Sequence, residues 1–203
     1  MTRPQTTRPT YAEASKALLR NTVLDAVRDL LADKDWAAIT MADVATFSGV
    51  SRQTVYNEFR SRNGLAQAYA LRLVDDFVAL LSAAVTRNQG DVRAALREGF
   101  GDYFRTAADD PLIRSLLSGA AKPDLLRLIT TDAGPLIESA TRGLSQTMRN
   151  SWLGLGDDDA ERISRAASRM ALSYVAMPPE SDRDVATDLA EVLTPAVVLA
   201  RSR

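Results

Sequence analysis

Residues 40–59 read TMADVATFSGVSRQTVYNEF. A short amphipathic segment, Met41 to Phe47, is followed by Ser48-Gly49-Val50 and by a second segment that opens at Ser51. Thr40 stands at a helix N-cap with Asp43 three residues on, the capping-box spacing with Asp in place of the usual Glu. Gly49 falls where a tight turn between two helices needs a positive φ, which glycine adopts at little cost. Ala45 is small enough to let the two helices approach, and Val44, Val50 and Val55 are spaced to close an apolar core beneath the turn. Ser51 can cap the second helix, leaving its first N–H groups to meet an anion. This is helix-turn-helix geometry, in which the second helix reads the DNA major groove. Taken singly, each part also fits an ordinary αα-hairpin; the full register, ending in Tyr56 and Phe59, favours DNA.

The whole chain sets the bounds. Its 203 residues, 46% apolar, suit a small domain joined to a larger one with a sizeable core. There is no Cys, which excludes disulfides and thiolate chemistry, and no His, which removes the commonest general base and metal ligand. No metal or cofactor is therefore expected. No signal-like N-terminus and no apolar run near 18 residues is present, so a cytoplasmic protein without membrane contact is expected. Residues 1–65 carry 9 Lys+Arg against 7 Asp+Glu, and the remainder 16 against 19. That asymmetry has the sign a nucleic-acid binder needs but is too small to argue from alone.

In chain order, residues 1–14 are rich in Thr, Pro and Arg and are expected to form a disordered basic arm, with Arg3 and Arg8 able to reach DNA. A helix is predicted over Lys16 to Ala32, with Leu19, Val23, Ala26, Val27 and Leu30 on one face. Residues 15–63 form the helix-turn-helix domain in this reading, and residues 64–203 a second, larger domain. Ser61 to Gly64 should break the chain before a long helix from Leu65 to Arg87 that serves both domains. Further helices are predicted over Val92–Ala107, Leu112–Ser118, Asp124–Thr130, a stretch from Pro135 to about Trp152, and Asp158–Ala176. Ser181 should cap the last, with Asp184 at its third helical position and Pro195 kinking or ending it. No strand-period segment appears, so the fold class is all-α.

From Ile39 to Leu65 the chain resembles the TetR family of bacterial transcriptional regulators. The matching residues are Thr40, Val44, Ala45, Gly49-Val50-Ser51, Val55-Tyr56, Phe59 and Ser61-Arg62 with Leu65. The later helices match in order only. Asn57 and Glu58 depart from the aromatic residues usual there, and Arg62 stands where Lys is usual. Glu58 should point away from phosphate or pair with Arg60 or Arg62. The run Val55 to Phe59 also resembles actinobacterial members tied to fatty-acid or alkane metabolism.

The resemblance implies Arg52, Gln53 and Asn57 as base readers, since Arg suits guanine and Gln or Asn suits adenine. It implies Thr40, Ser51, Thr54, Tyr56 and Arg62 as phosphate contacts, which fix register. It implies a ligand-binding, dimerising second domain. Candidates to line a cavity are Phe77, Leu80, Leu81, Phe100, Tyr103, Phe104, Leu117, Ile129, Leu144, Met148, Trp152 and Tyr174; for any one of them a packed core is the better reading, and the resemblance favours a pocket for the set. The last two helices are the expected dimer face, through Ile163, Ala167, Met170, Leu189, Val192 and Leu193. Together these imply a homodimeric repressor of a palindromic double-stranded operator, released by a hydrophobic, fatty-acid-like effector. The competing readings are a lipid carrier with a vestigial DNA-binding motif and an enzyme. The acids an enzyme would need, Asp109-Asp110 and Asp157 to Asp159, sit at helix starts, where caps are expected.

Overall fold

The computed structural model describes residues 10–117, 123–178 and 183–203. Among them every regular element is a helix, and the chain divides into two compact units, residues 1–65 and 66–203.

The first unit holds α1 (Tyr11–Asp33), a 3-10 turn (Trp36–Ala38), α2 (Met41–Ser48), α3 (Arg52–Phe59) and the start of α4 (Arg62–Arg87). α1 begins five residues earlier than its apolar period predicts. Thr10 Oγ1 accepts from Glu13 N at 3.3 Å and Thr10 N donates to Glu13 Oε2 at 2.8 Å, so a capping box starts the helix before its apolar face begins. Residues 11–14 of the expected arm are thus helical, and its Arg3 and Arg8 lie outside the described residues. Val23, Val27, Leu30, Trp36, Val44 and Val55 are almost fully buried and form the core beneath the turn motif.

The break after α3 is shorter than the sequence suggests. Ser61 Oγ accepts from Gly64 N at 3.0 Å and Ser61 O from Leu65 N at 2.9 Å, so Ser61 caps α4, which starts at Arg62. Arg60 makes the corner at φ 67°, ψ −45°, with Ser61 N donating to Phe59 O at 2.7 Å. That left-handed turn is strained for a side-chain-bearing residue. A Cβ on Gly64 would stand 2.1 Å from Phe59 O, so only glycine fits there.

The second unit comprises the rest of α4 with α5 (Val92–Asp109), α6 (Pro111–Leu117), α7 (Pro123–Ile129), α8 (Gly134–Asn150), α9 (Asp157–Ala176) and α10 (Val185–Arg201). α5 packs on α10 and α8 on α9, around a core that includes Phe77, Leu81, Phe100, Leu144 and Met148. Those five expected cavity residues are close-packed core: each is at most 4% exposed. Phe100 is fully buried between Phe77, whose ring is tilted to it at 6.1 Å, and Phe104, stacked on it at 6.2 Å, and fills the core rather than lining a cavity.

Two expectations about α10 change. Ser181 lies outside the described residues, and the cap is Asp184, whose Oδ1 accepts from Thr187 N at 3.0 Å. The helix continues through Pro195 to Arg201. Proline removes one intrahelical bond, but Leu193 and Val197 are buried on either side of it, and their packing holds the last turns in place.

The dimer assignment also changes. Ile163, Ala167, Leu189 and Leu193 are 0–7% exposed and belong to this chain's own core, so they cannot form a seam with a second copy. Met170 is half-buried against the same core. Of the six, Val192 alone is open, at 60% exposure.

Candidate nucleic-acid interface and apolar cavity

α2 ends at Gly49, whose φ of 70° places it in the left-handed region and whose N–H donates back to Ala45 O and Thr46 O. This C-cap turns the chain sharply into α3. Ser51 Oγ then accepts from Thr54 N at 3.0 Å and lies 2.8 Å from Thr54 Oγ1. Val55 and Phe59 face inward, which turns Arg52, Gln53, Tyr56 and Asn57 outward to solvent, with Thr54 half-buried. Tyr56 is 47% exposed.

Gln53 and Asn57 are bonded to each other. Gln53 Nε2 donates to Asn57 Oδ1 at 2.8 Å, across one turn of α3. The pair keeps one free carbonyl oxygen and one free amide nitrogen, an acceptor and a donor side by side. That is the complement of the adenine edge in the major groove, which offers a donor and an acceptor.

Two of the expected phosphate contacts, Thr40 and Arg62, have polar atoms engaged within the chain. Thr40 Oγ1 donates to Asp43 Oδ2 at 2.7 Å and accepts from Asp43 N at 3.2 Å, so its single hydroxyl proton is committed inside the capping box. The hydrogen bonds from Thr40, side chain first and backbone second, hold the Asp43 carboxyl below the usual range. Arg62, expected on phosphate, lies over the Trp36 ring at 4.6 Å and donates to the Trp36 carbonyl. Its flat guanidinium can stack on indole while bonding a carbonyl, and that fixes the loop between α1 and α2. Glu58 turns away from the outward face, as expected, but its partners are on α1 and not Arg60 or Arg62: it accepts from Arg20 at 3.1 Å with Lys16 at 3.7 Å. Arg20 also sits 5.2 Å from the centre of the Phe59 ring. Glu58 lies between the inward-facing Val55 and Phe59, and that position was the available signal for its inward turn.

In the second unit, a buried polar group caps α6, whose Leu112 and Ile113 line an apolar cavity. Tyr69 OH donates to Asp110 Oδ2 at 2.9 Å, and Asp110 Oδ1 accepts from Leu112 N and Ile113 N, which caps α6. Burial raises the Tyr69 phenol well above its ordinary range, the Asp110 charge adding to it; Tyr103 is raised in the same way, by burial first and Asp110 second.

The cavity beside them has a volume of about 70 Å³. Its walls include Ala70, Leu73, Tyr103, Ile113, Leu128, Ile129 and Val175. Ile113 and Val175 also line an open groove of about 400 Å³, together with Phe104, Arg105, Leu117 and Tyr174. Of the twelve expected cavity residues, Tyr103 and Ile129 line the cavity and Phe104, Leu117 and Tyr174 the groove. Leu80 and Trp152 are half-buried and line neither. Trp152 Nε1 donates to Val85 O instead.

Known proteins agree with this arrangement. Residues 23–69 match the family described as bacterial regulatory proteins, tetR family, and residues 91–195 the bacterial tetracyclin repressor, C-terminal domain. The chain is 55% identical over 185 residues to the HTH-type transcriptional regulator AlkX of Mycobacterium tuberculosis, covering 91% of this chain and 88% of that one. It is similar to the crystal structure of the TetR family repressor AlkX from Dietzia sp., implicated in biodegradation of n-alkanes. That match has a TM-score of 0.84 and 42% identity, over 90% of this chain and 96% of that one. Thermus thermophilus FadR, solved with lauroyl-CoA, shares the fold at 20% identity and a TM-score of 0.56, over 88% and 93% of the two chains. The turn chemistry of residues 40–59, the all-helical second unit and these likenesses agree: the chain belongs to the TetR family of DNA-binding bacterial transcriptional regulators.

Proposed function

We propose that the chain is a homodimeric repressor of a palindromic operator, released by a long apolar, fatty-acid-like ligand. The observation that carries the reading is the outward face of α3, with a cation in its first turn and a paired donor and acceptor one turn on. Arg52 reads guanine, Gln53 with Asn57 reads adenine, and Ser51, Thr54 and Tyr56 hold phosphate. Thr40 and Arg62 drop out of the contact set because their polar atoms serve Asp43 and Trp36.

A two-fold dimer places two α3 helices in major grooves about 34 Å apart or a multiple of that. The seam is assigned to the outer stripe of α10, where Val192, Pro195, Ala196 and Leu199 are all exposed at helical spacing. A monomer rarely leaves such an apolar stripe uncovered.

The likeness to two AlkX regulators, one of them a repressor implicated in n-alkane biodegradation, supports a ligand from that chemistry. The cavity is apolar, with Tyr103 as a polar wall. At about 70 Å³ it is smaller than the ~150 Å³ that accommodates benzene in an engineered core. A long chain therefore has to part Ile113 from Val175 and extend into the groove. A ligand that binds only the parted form shifts the population towards it. α4 has its first turn in one unit and the rest in the other, so it can carry the change to α3.

The test is operator binding by fluorescence anisotropy, titrated with fatty acids and n-alkanes of increasing length. A coupling of about 1–3 kcal/mol would change operator affinity roughly 5- to 150-fold. A protein that binds the lipids but shows no salt-dependent, sequence-selective DNA binding would be a carrier instead.

A further inference from the structure

We propose that the groove between α8 and α9 is a second ligand site, for a small molecule bearing a phosphate group. The groove has a volume of about 670 Å³, in the range of small-molecule sites. It is lined by α8 and α9 alone and shares no residue with the apolar cavity, the α3 face or the α10 stripe.

Four guanidiniums converge on it, Arg142 and Arg149 from α8 and Arg165 and Arg169 from α9. Arg149 is paired with Asp157 at 2.8 Å, and Arg165 with Glu161. Arg142 and Arg169 face the groove with no carboxylate partner among the described residues. The remaining acid on the rim is Glu138.

The hydroxyls of Thr141 and Ser145 also line the groove. These residues are 8% and 7% exposed, and neither hydroxyl oxygen has a hydrogen-bond partner among the described residues. Buried hydroxyls are ordinarily bonded, and in a helix the carbonyl four residues back is usually available. Ser168, on the facing helix, makes that bond, to Ser164 O at 2.7 Å. Thr141 and Ser145 are one turn apart and leave theirs unmade.

Donors thus reach the groove from two helices: guanidinium forks from Arg142 and Arg169 and two hydroxyls from below. A carboxylate offers two oxygens in one plane, whereas a phosphate offers three or more at tetrahedral angles and can satisfy donors from several directions. The volume beyond one phosphate leaves room for an organic body, with Ile137 as an apolar wall and Glu138 as an acceptor for its hydroxyl or amino groups.

Isothermal titration of the full chain with inorganic pyrophosphate and with adenosine 5′-monophosphate, at constant ionic strength and with chloride as control, tests the site. Saturable binding of either phosphate probe is expected. A response to pyrophosphate alone identifies a simple phosphate anion as ligand, and a tighter response to the nucleotide identifies a phosphomonoester; both support the site. The double variant R142Q/R169Q should weaken binding roughly tenfold or more, and Thr141→Val, which keeps the shape, several-fold. The fatty-acid response of operator binding should be unchanged in both variants, which separates this site from the effector cavity. Heats that do not saturate, or variants that titrate like the parent chain, would overturn the proposal. So would a change in sedimentation of R142Q/R169Q, since a second protein surface would then be what fills the groove.

Discussion

Arg20 on α1 donates to Glu58 on α3 at 3.1 Å, and the Glu58 side chain is only 12% exposed. The helix α3 is therefore tied to α1 by a carboxylate turned away from the outward face. Glu58→Ala would leave Arg20 beside Phe59 without its carboxylate. A hydrogen bond between charged groups in partial burial contributes about 1.5–3 kcal/mol, and Arg20 is open enough for water to recover part of that. Chemical denaturation should show a loss of about 1–2 kcal/mol, with DNA affinity falling because α3 is less firmly held. If Glu58 instead opposed phosphate, its removal would strengthen DNA binding without loss of stability.

The bonded amides of Gln53 and Asn57 make a second prediction. Gln53→Ala removes one half of the pair and frees the other to rotate. Preference for adenine at one position per half-site should fall by about 1–3 kcal/mol. Non-specific affinity and its salt slope should hold, because no cation is lost. Binding-site selection with the variant is the measurement, and an unchanged motif would reject the assignment.

Thr40 and Asp43 carry a pH dependence. The Asp43 carboxyl is held below its ordinary range by the Thr40 hydrogen bonds. The folded-state value is the lower one, so this contribution is present above the ordinary Asp value of about 3.9 and is lost as pH falls through the depressed value. Thr40→Ala removes the larger of the two bonds. Its melting temperature should lie below that of the parent chain near neutral pH, and the gap should narrow as the pH drops below about 4. A gap that stays constant with pH would mean the carboxyl gains nothing from Thr40.

The turn motif was legible because its chemistry is local. Thr40, Gly49 and Ser51 each act within a few residues of themselves, and each acts as its residue type predicts. α10 was misread for the opposite reason. It carries two apolar stripes, Leu189-Leu193-Val197 towards its own core and Val192-Ala196-Leu199 outwards. Helical period finds both but does not say which one a second copy would cover. The same limit applies to Phe77 and Phe100, since an aromatic that fills a core and one that lines a cavity have the same spacing. Arg62 was misjudged because its partner, the Trp36 ring, is 26 positions away in sequence.

The two stripes separate a seam residue from a core residue. Val192→Asp puts a charge on the outer stripe, so the chain should fold normally and sediment as a monomer, with weakened operator binding. Leu189→Asp, 3% exposed in the parent chain, should unfold the second unit outright. Circular dichroism and analytical ultracentrifugation distinguish the two results. A folded Val192→Asp chain that stays dimeric would place the interface elsewhere.

The last prediction uses the size of the apolar cavity. Ala70 is on its wall, and the space beside it is about 70 Å³. Ala70→Leu adds three carbons, enough to fill most of that volume. Filling an apolar void restores contacts its lining lacks, so apo stability should rise or hold, by up to about 1–2 kcal/mol at the rate of ~24 cal/mol per Å³ of cavity. Operator affinity without ligand should match the parent chain, because α3 is untouched. Release by a long fatty acid should need roughly 15- to 60-fold more ligand, since each of the two or three apolar carbons kept out forfeits about 0.8 kcal/mol of burial. Anisotropy titrations of both proteins against the same fatty acid give the comparison. If Ala70→Leu releases its operator at the parent concentration, the effector does not use this cavity.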